Sequence, residues 1–84
     1  MKLNLKAFAL TVGILWGLAI LLVALANLIW PPYGEAFLSL TASLYPGFTP
    51  ATGAGSVVIG TAYGFVDGAI SGFIIAWLYN ALAR

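Results

Sequence analysis

Asp67 is the side chain best placed to do chemistry in this sequence, because it interrupts an otherwise uncharged apolar run from Val57 to Tyr79. A carboxylate near the middle of a membrane-length segment opposes insertion by about 2.5 to 3.5 kcal/mol, so it requires a hydrogen-bond donor, a water-filled cavity or a proton. Candidate partners are the Trp16 indole N–H, the Tyr63 hydroxyl one turn back, the Ser71 hydroxyl one turn on, and groups of a second subunit. Three roles follow: a pore-lining carboxylate, a proton-carrying site, or a staple between helices.

Little else in the chain is reactive. The other charged residues are Lys2, Lys6, Glu35 and Arg84, histidine and cysteine are absent, and Met1 is the one methionine. The usual side-chain ligands of haem, zinc, copper and iron–sulfur clusters are therefore missing, and no metal site or cofactor is expected. Catalysis is not expected either, since two acids at different levels, without a histidine, cysteine or midplane lysine, do not make a nucleophile and its base. A net charge of +1 supplies no basic stripe for a phosphate backbone, which excludes nucleic acid as a partner.

The elements that position Asp67 are dictated by hydropathy. Of 84 residues 63% are hydrophobic, more than so short a soluble fold can hide, and the lipid bilayer becomes the expected solvent. The uncharged run Ala7 to Trp30 reaches about 36 Å as a helix, enough to cross a ~30 Å hydrocarbon core, and Pro31-Pro32 stops it. It is too long for a signal-peptide core and lacks a small-residue cleavage site, so it reads as a retained span. Val57 to Tyr79 is the second span. Trp30 and Tyr33 at one end, and Trp77 and Tyr79 at the other, have the character of interfacial anchors.

Residues 31–56 form the connection. Within it Phe37, Leu40 and Leu44 are spaced for a short helix over Gly34 to Leu44 lying at the interface, the alternative being a loop held among the headgroups. Tyr45-Pro-Gly-Phe-Thr-Pro50 supplies turn residues. The expected fold is thus an all-α membrane protein, one domain over residues 1–84, with a two-transmembrane-helix hairpin and a short interfacial helix in its connection.

Gly60, Gly64, Gly68 and Gly72 recur every four residues and strip one ridge of the second span of side chains, as in helices that pack backbone to backbone. Asp67 and Ser71 lie close to that ridge, while Val58, Phe65, Ala69 and Phe73 point away. In the first span Ala9, Gly13, Gly17, Ala24 and Asn27 share a face opposite Phe8, Leu15, Leu22 and Ile29. Packing of the two small faces is expected, either within the chain or between subunits. An antiparallel hairpin would set Asp67 beside residues 16–19, with Lys6 about 20 Å away and no salt bridge in reach. It also puts Lys2, Lys6 and Arg84 at one end and Glu35 at the other, which the positive-inside rule reads as both termini cytoplasmic.

The order of motifs, Lys2-Leu-Asn-Leu-Lys-Ala-Phe-Ala9 with Gly13-Ile-Leu-Trp-Gly17, then Ser43-Leu-Tyr-Pro-Gly47, then Gly64-Phe-Val-Asp-Gly68 with Ala76-Trp-Leu-Tyr-Asn80, resembles a family of short two-span bacterial membrane proteins often labelled phage-holin-like. The resemblance runs over nearly the whole sequence and implies a two-span protein without an assigned chemistry. Holins generally have a charged C-terminal tail, whereas the sequence here closes on Ala81-Leu-Ala-Arg84.

Three functions are compatible with these features. The chain self-associates through its glycine-rich faces into a membrane assembly, such as a holin-like pore, as a homo-oligomer; or it is an accessory subunit beside other membrane chains; or it belongs to an ion-translocating ring. Against the ring, the glycines and the carboxylate share one helix and the connection is long and apolar, where a rotor hairpin separates the two and joins them by a short polar loop.

Overall fold

The computed structural model describes residues 2–49 and 53–83, which form three helices and no strand: α1 (Leu5–Ile29), α2 (Glu35–Leu44) and α3 (Ala54–Leu82). Pro50 and Arg84, assigned above to the turn and to the positive end, lie outside the described residues.

Each long helix is set by its ends. α1 starts ahead of the expected Ala7 because Asn4 caps it, the side-chain oxygen accepting the Ala7 N–H at 2.9 Å. That bond satisfies one of the donors a first turn leaves open. At the other end Pro31 cannot continue the helix, and buried Asn27 closes the turn by donating from Nδ2 to the carbonyls of Pro31 (2.6 Å) and Tyr33 (2.9 Å). Gly34 then reverses the chain at φ 67°, where a side chain would be strained and would run into Val23. α3 exceeds the expected second span at both ends.

α1 and α3 pack antiparallel in a rod of 47 × 19 × 19 Å. Along α3 the buried positions Ser56, Gly60, Gly64, Gly68, Gly72 and Ala76 follow a four-residue repeat, and its glycines meet Ala9, Val12, Gly13, Trp16, Gly17 and Ile20 of α1. A Cβ added to Gly68 would lie 2.8 Å from the Gly13 Cα and 2.8 Å from the Val12 carbonyl oxygen, so the backbones are in direct contact there. The small faces therefore pack on each other within one chain. Close backbone approach gathers many weak dispersion contacts, which suits helices lacking large side chains at their seam.

The same contacts fix the register. Gly13 faces Gly68 and Gly17 faces Gly64, so Asp67 lies level with about residue 14, not with residues 16–19 as the span ends suggested. Lys6 is then level with about residue 75, still roughly 12 Å along the axis from Asp67.

Most residues expected to face away do so: Leu15, Leu22, Ile29, Val58, Phe65 and Phe73 are exposed. Phe8 and Ala69 are half-buried, and Ala69 borders the seam, its Cβ 3.2 Å from where a Cβ on Gly13 would sit.

The connection, expected as a layer at the end of the spans, folds back along them. Gly34 lies beside Val23, the Phe37 ring meets Trp16 edge-on at 5.6 Å, and Phe48 lies over Gly60 and Ile20. Its buried face is Leu38, Thr41 and Tyr45; of the expected stripe, Phe37 is half-buried while Leu40 and Leu44 point outward. The core is accordingly Ile20, Ala24, Leu38, Tyr45, Phe48 and Val57, where all three helical segments converge.

Candidate functional site: a hydrogen-bonded chain ending on Asp67

Three segments each contribute one residue to a polar chain beside the glycine seam. Trp16 on α1 donates its indole Nε1–H to the Tyr45 hydroxyl at 2.9 Å, and that hydroxyl donates to Asp67 Oδ2 on α3 at 2.7 Å. Asp67 is half-buried. An O–H donated to a carboxylate is of the stronger, charge-assisted kind when the acid is ionised.

Local sequence explains why Tyr45 can reach so far. α2 ends at Tyr45 because Pro46 disfavours helical backbone before it, and the residue takes φ −109°, ψ 97°. Gly47 at φ 84° turns the chain, with the Phe48 N–H donating to the Tyr45 carbonyl at 3.1 Å. The Tyr45 ring is held from both sides: it stacks on Tyr63 at 5.1 Å and 7° between planes, and Phe48 leans on it at 6.4 Å. The Tyr63 hydroxyl in turn donates to the Pro46 carbonyl, tying the turn to α3.

Burial raises the Tyr45 phenol above its ordinary pKa of 10.0; the Trp16 hydrogen bond opposes the rise, while the hydrogen bond to Asp67 and its charge add to it. Tyr45 thus remains a neutral donor across the physiological range. The arrangement supplies a fixed donor to one carboxylate oxygen. Among the described residues no group of acidic side chains converges that could hold a metal ion.

The glycines singled out from sequence, Gly13, Gly17, Gly60, Gly64, Gly68 and Gly72, are all buried. Of the polar residues expected within the spans, Trp16 bonds to the Tyr45 hydroxyl and Tyr63 to the Pro46 carbonyl, not to the carboxylate. Ser71 is half-buried and stands outside the chain. Trp30 and Tyr33 are exposed at the connecting end, and Trp77 and Tyr79 at the terminal end. From sequence Tyr45 reads only as part of the turn Tyr45-Pro-Gly-Phe-Thr-Pro50. The signal that could have found it is a tyrosine placed immediately before Pro-Gly in an apolar connection, a polar tip with no water to satisfy it.

No family model, curated protein or solved structure matches this chain.

Proposed function

We propose that this chain is a non-enzymatic integral membrane protein of the bacterial inner membrane, a two-span hairpin with both termini cytoplasmic, which serves as a prefolded accessory subunit among other membrane chains. Its helices of 25 and 29 residues are long and apolar enough to cross, and only 28% and 22% of their most apolar windows are buried in the chain. A core helix of a soluble domain would be mostly enclosed. Here the remainder is a coat of Leu, Ile, Val and Phe suited to acyl chains or to neighbouring spans.

The observation that carries the subunit role is the closed seam. Gly60, Gly64, Gly68 and Gly72 already pack against α1 and the connection, so other chains would meet the outer aliphatic faces. Asp67, bonded to Tyr45, serves as the staple that holds the connection against the spans.

A holin-like homo-oligomeric pore is the second reading. It draws on the half-buried setting of Asp67 beside the seam. The protein purified alone in mild detergent separates the two: the mass of a single hairpin is expected, and a uniform closed ring on imaging would replace the subunit reading with the pore.

A further inference from the structure

At the terminal end of the hairpin the segment before α1 is clasped to the last turns of α3. The Leu3 N–H donates to Asn80 Oδ1 at 2.7 Å, and Asn80 Nδ2 donates back to the Leu3 carbonyl at 2.8 Å. One side chain thereby satisfies both backbone groups of a residue 77 positions away. The clasp sets Lys2 beside the end of α3, where Lys2, Leu5, Trp77, Asn80 and Ala81 line an open-sided surface cavity of about 170 Å³.

The lining has a definite chemistry. Its lining residues include one cation, Lys2, and an indole N–H donor, Trp77, with no carboxylate among the five, and Leu5 and Ala81 are apolar. Both acids of the chain are distant: Glu35 is at the connecting end, and Asp67 is ten residues up α3 from Trp77, about 15 Å. A cation, a second donor and an adjoining apolar wall at the level of an exposed tryptophan match a phosphate attached to hydrocarbon.

We propose that this cavity binds the phosphate of an anionic glycerophospholipid, with Lys2 pairing to the phosphate, Trp77 donating to it, and Leu5 and Ala81 lying along the adjoining glycerol and acyl atoms. The inference rests on the membrane reading above. A lysine at an anionic membrane surface contributes about fivefold in affinity, so one residue is enough to give a measurable preference. The Leu3–Asn80 clasp is the positioning element, because it converts a free N-terminal lysine into one wall of a cavity.

The test reconstitutes the full chain in vesicles of phosphatidylcholine containing a minor fraction of spin-labelled phosphatidylglycerol or spin-labelled phosphatidylcholine, and reads the immobilised fraction. Resistance to carbonate extraction in the same sample reports insertion independently: a protein that fails to insert rejects the membrane reading, whereas one that inserts without selecting phosphatidylglycerol rejects only the lipid site. Selection of phosphatidylglycerol is expected, reduced about fivefold by Lys2→Gln and also reduced by Trp77→Phe, with Lys6→Gln, whose side chain lies outside the cavity, closer to wild type. Equal losses for Lys2→Gln and Lys6→Gln with Trp77→Phe silent would overturn the site in favour of diffuse attraction. Displacement of the bound lipid by millimolar inorganic phosphate would overturn the lipid assignment and make this a site for the free anion.

Discussion

Tyr45 donates a 2.7 Å hydrogen bond to Asp67, joining the turn after α2 to the middle of α3 across 22 residues of sequence. The same hydroxyl accepts from Trp16, so a single phenol oxygen links all three helical segments. Its removal should have effects at three places.

Tyr45→Phe is expected to destabilise the hairpin by about 1 to 3 kcal/mol, since it leaves the Trp16 N–H and Asp67 Oδ2 without their partner while the ring stacking on Tyr63 persists. Equilibrium unfolding in mixed micelles measures this. A double-mutant cycle with Asp67→Ala should show non-additivity, because both changes remove the same bond. Additive losses would contradict a shared interaction.

Asp67→Asn should retain the fold and the mass of a single hairpin, because an amide oxygen still accepts from Tyr45 at the same site. Circular dichroism and mass in detergent are expected to match wild type. In planar bilayers, a wild-type conductance that Asp67→Asn abolishes with the fold preserved would reject the staple and assign the carboxylate to a pore.

The glycines should not be equivalent. Gly68→Ala sets a Cβ 2.8 Å from backbone atoms of α1, which must move apart, whereas Gly17→Ala meets its nearest neighbours at 3.4 to 3.5 Å. A loss of about 1 to 3 kcal/mol is expected for the former, from overpacking against atoms that cannot rotate away, and little change for the latter. Similar stabilities for the two variants would show that the seam is looser than described.

Alkaline titration reports on the buried phenol. Its folded pKa is raised, mainly by burial, so the proton is held more tightly folded than unfolded. The stability from this group is fully present below the unfolded value near 10 and falls as pH rises through the folded value. The difference in tyrosinate absorbance between wild type and Tyr45→Phe should therefore develop above pH 10. A difference titration completed below that pH would contradict the buried, bonded setting.

Much of this architecture was legible because it depends on short-range patterns. The run from Ala7 to Trp30 and its Pro-Pro stop determine a helix and its end by length and by a missing N–H, whatever the helix packs against. The four-residue glycine repeat likewise specifies a ridge from helical geometry alone, and Gly60, Gly64, Gly68 and Gly72 are buried along it. Asp67 was conspicuous for the same local reason: one carboxylate in a long apolar run.

Its partner was not legible. Whether Trp16, Tyr63, Ser71 or a group from elsewhere would meet Asp67 depends on where the connection goes, and Phe37, Leu40 and Leu44 fit a helix at an interface as well as one turned back on the spans. Only the tertiary structure selects the second path, by seating Leu38, Thr41 and Tyr45 inward and Phe48 on the bare surface of Gly60. Sequence determined two long apolar helices with a glycine ridge and a lone acid, because periodicity and composition are properties of neighbouring residues. The register of Gly13 on Gly68, the descent of Tyr45 to Asp67 and the Leu3–Asn80 clasp were decided in three dimensions, because contacts between distant residues depend on how surfaces fit.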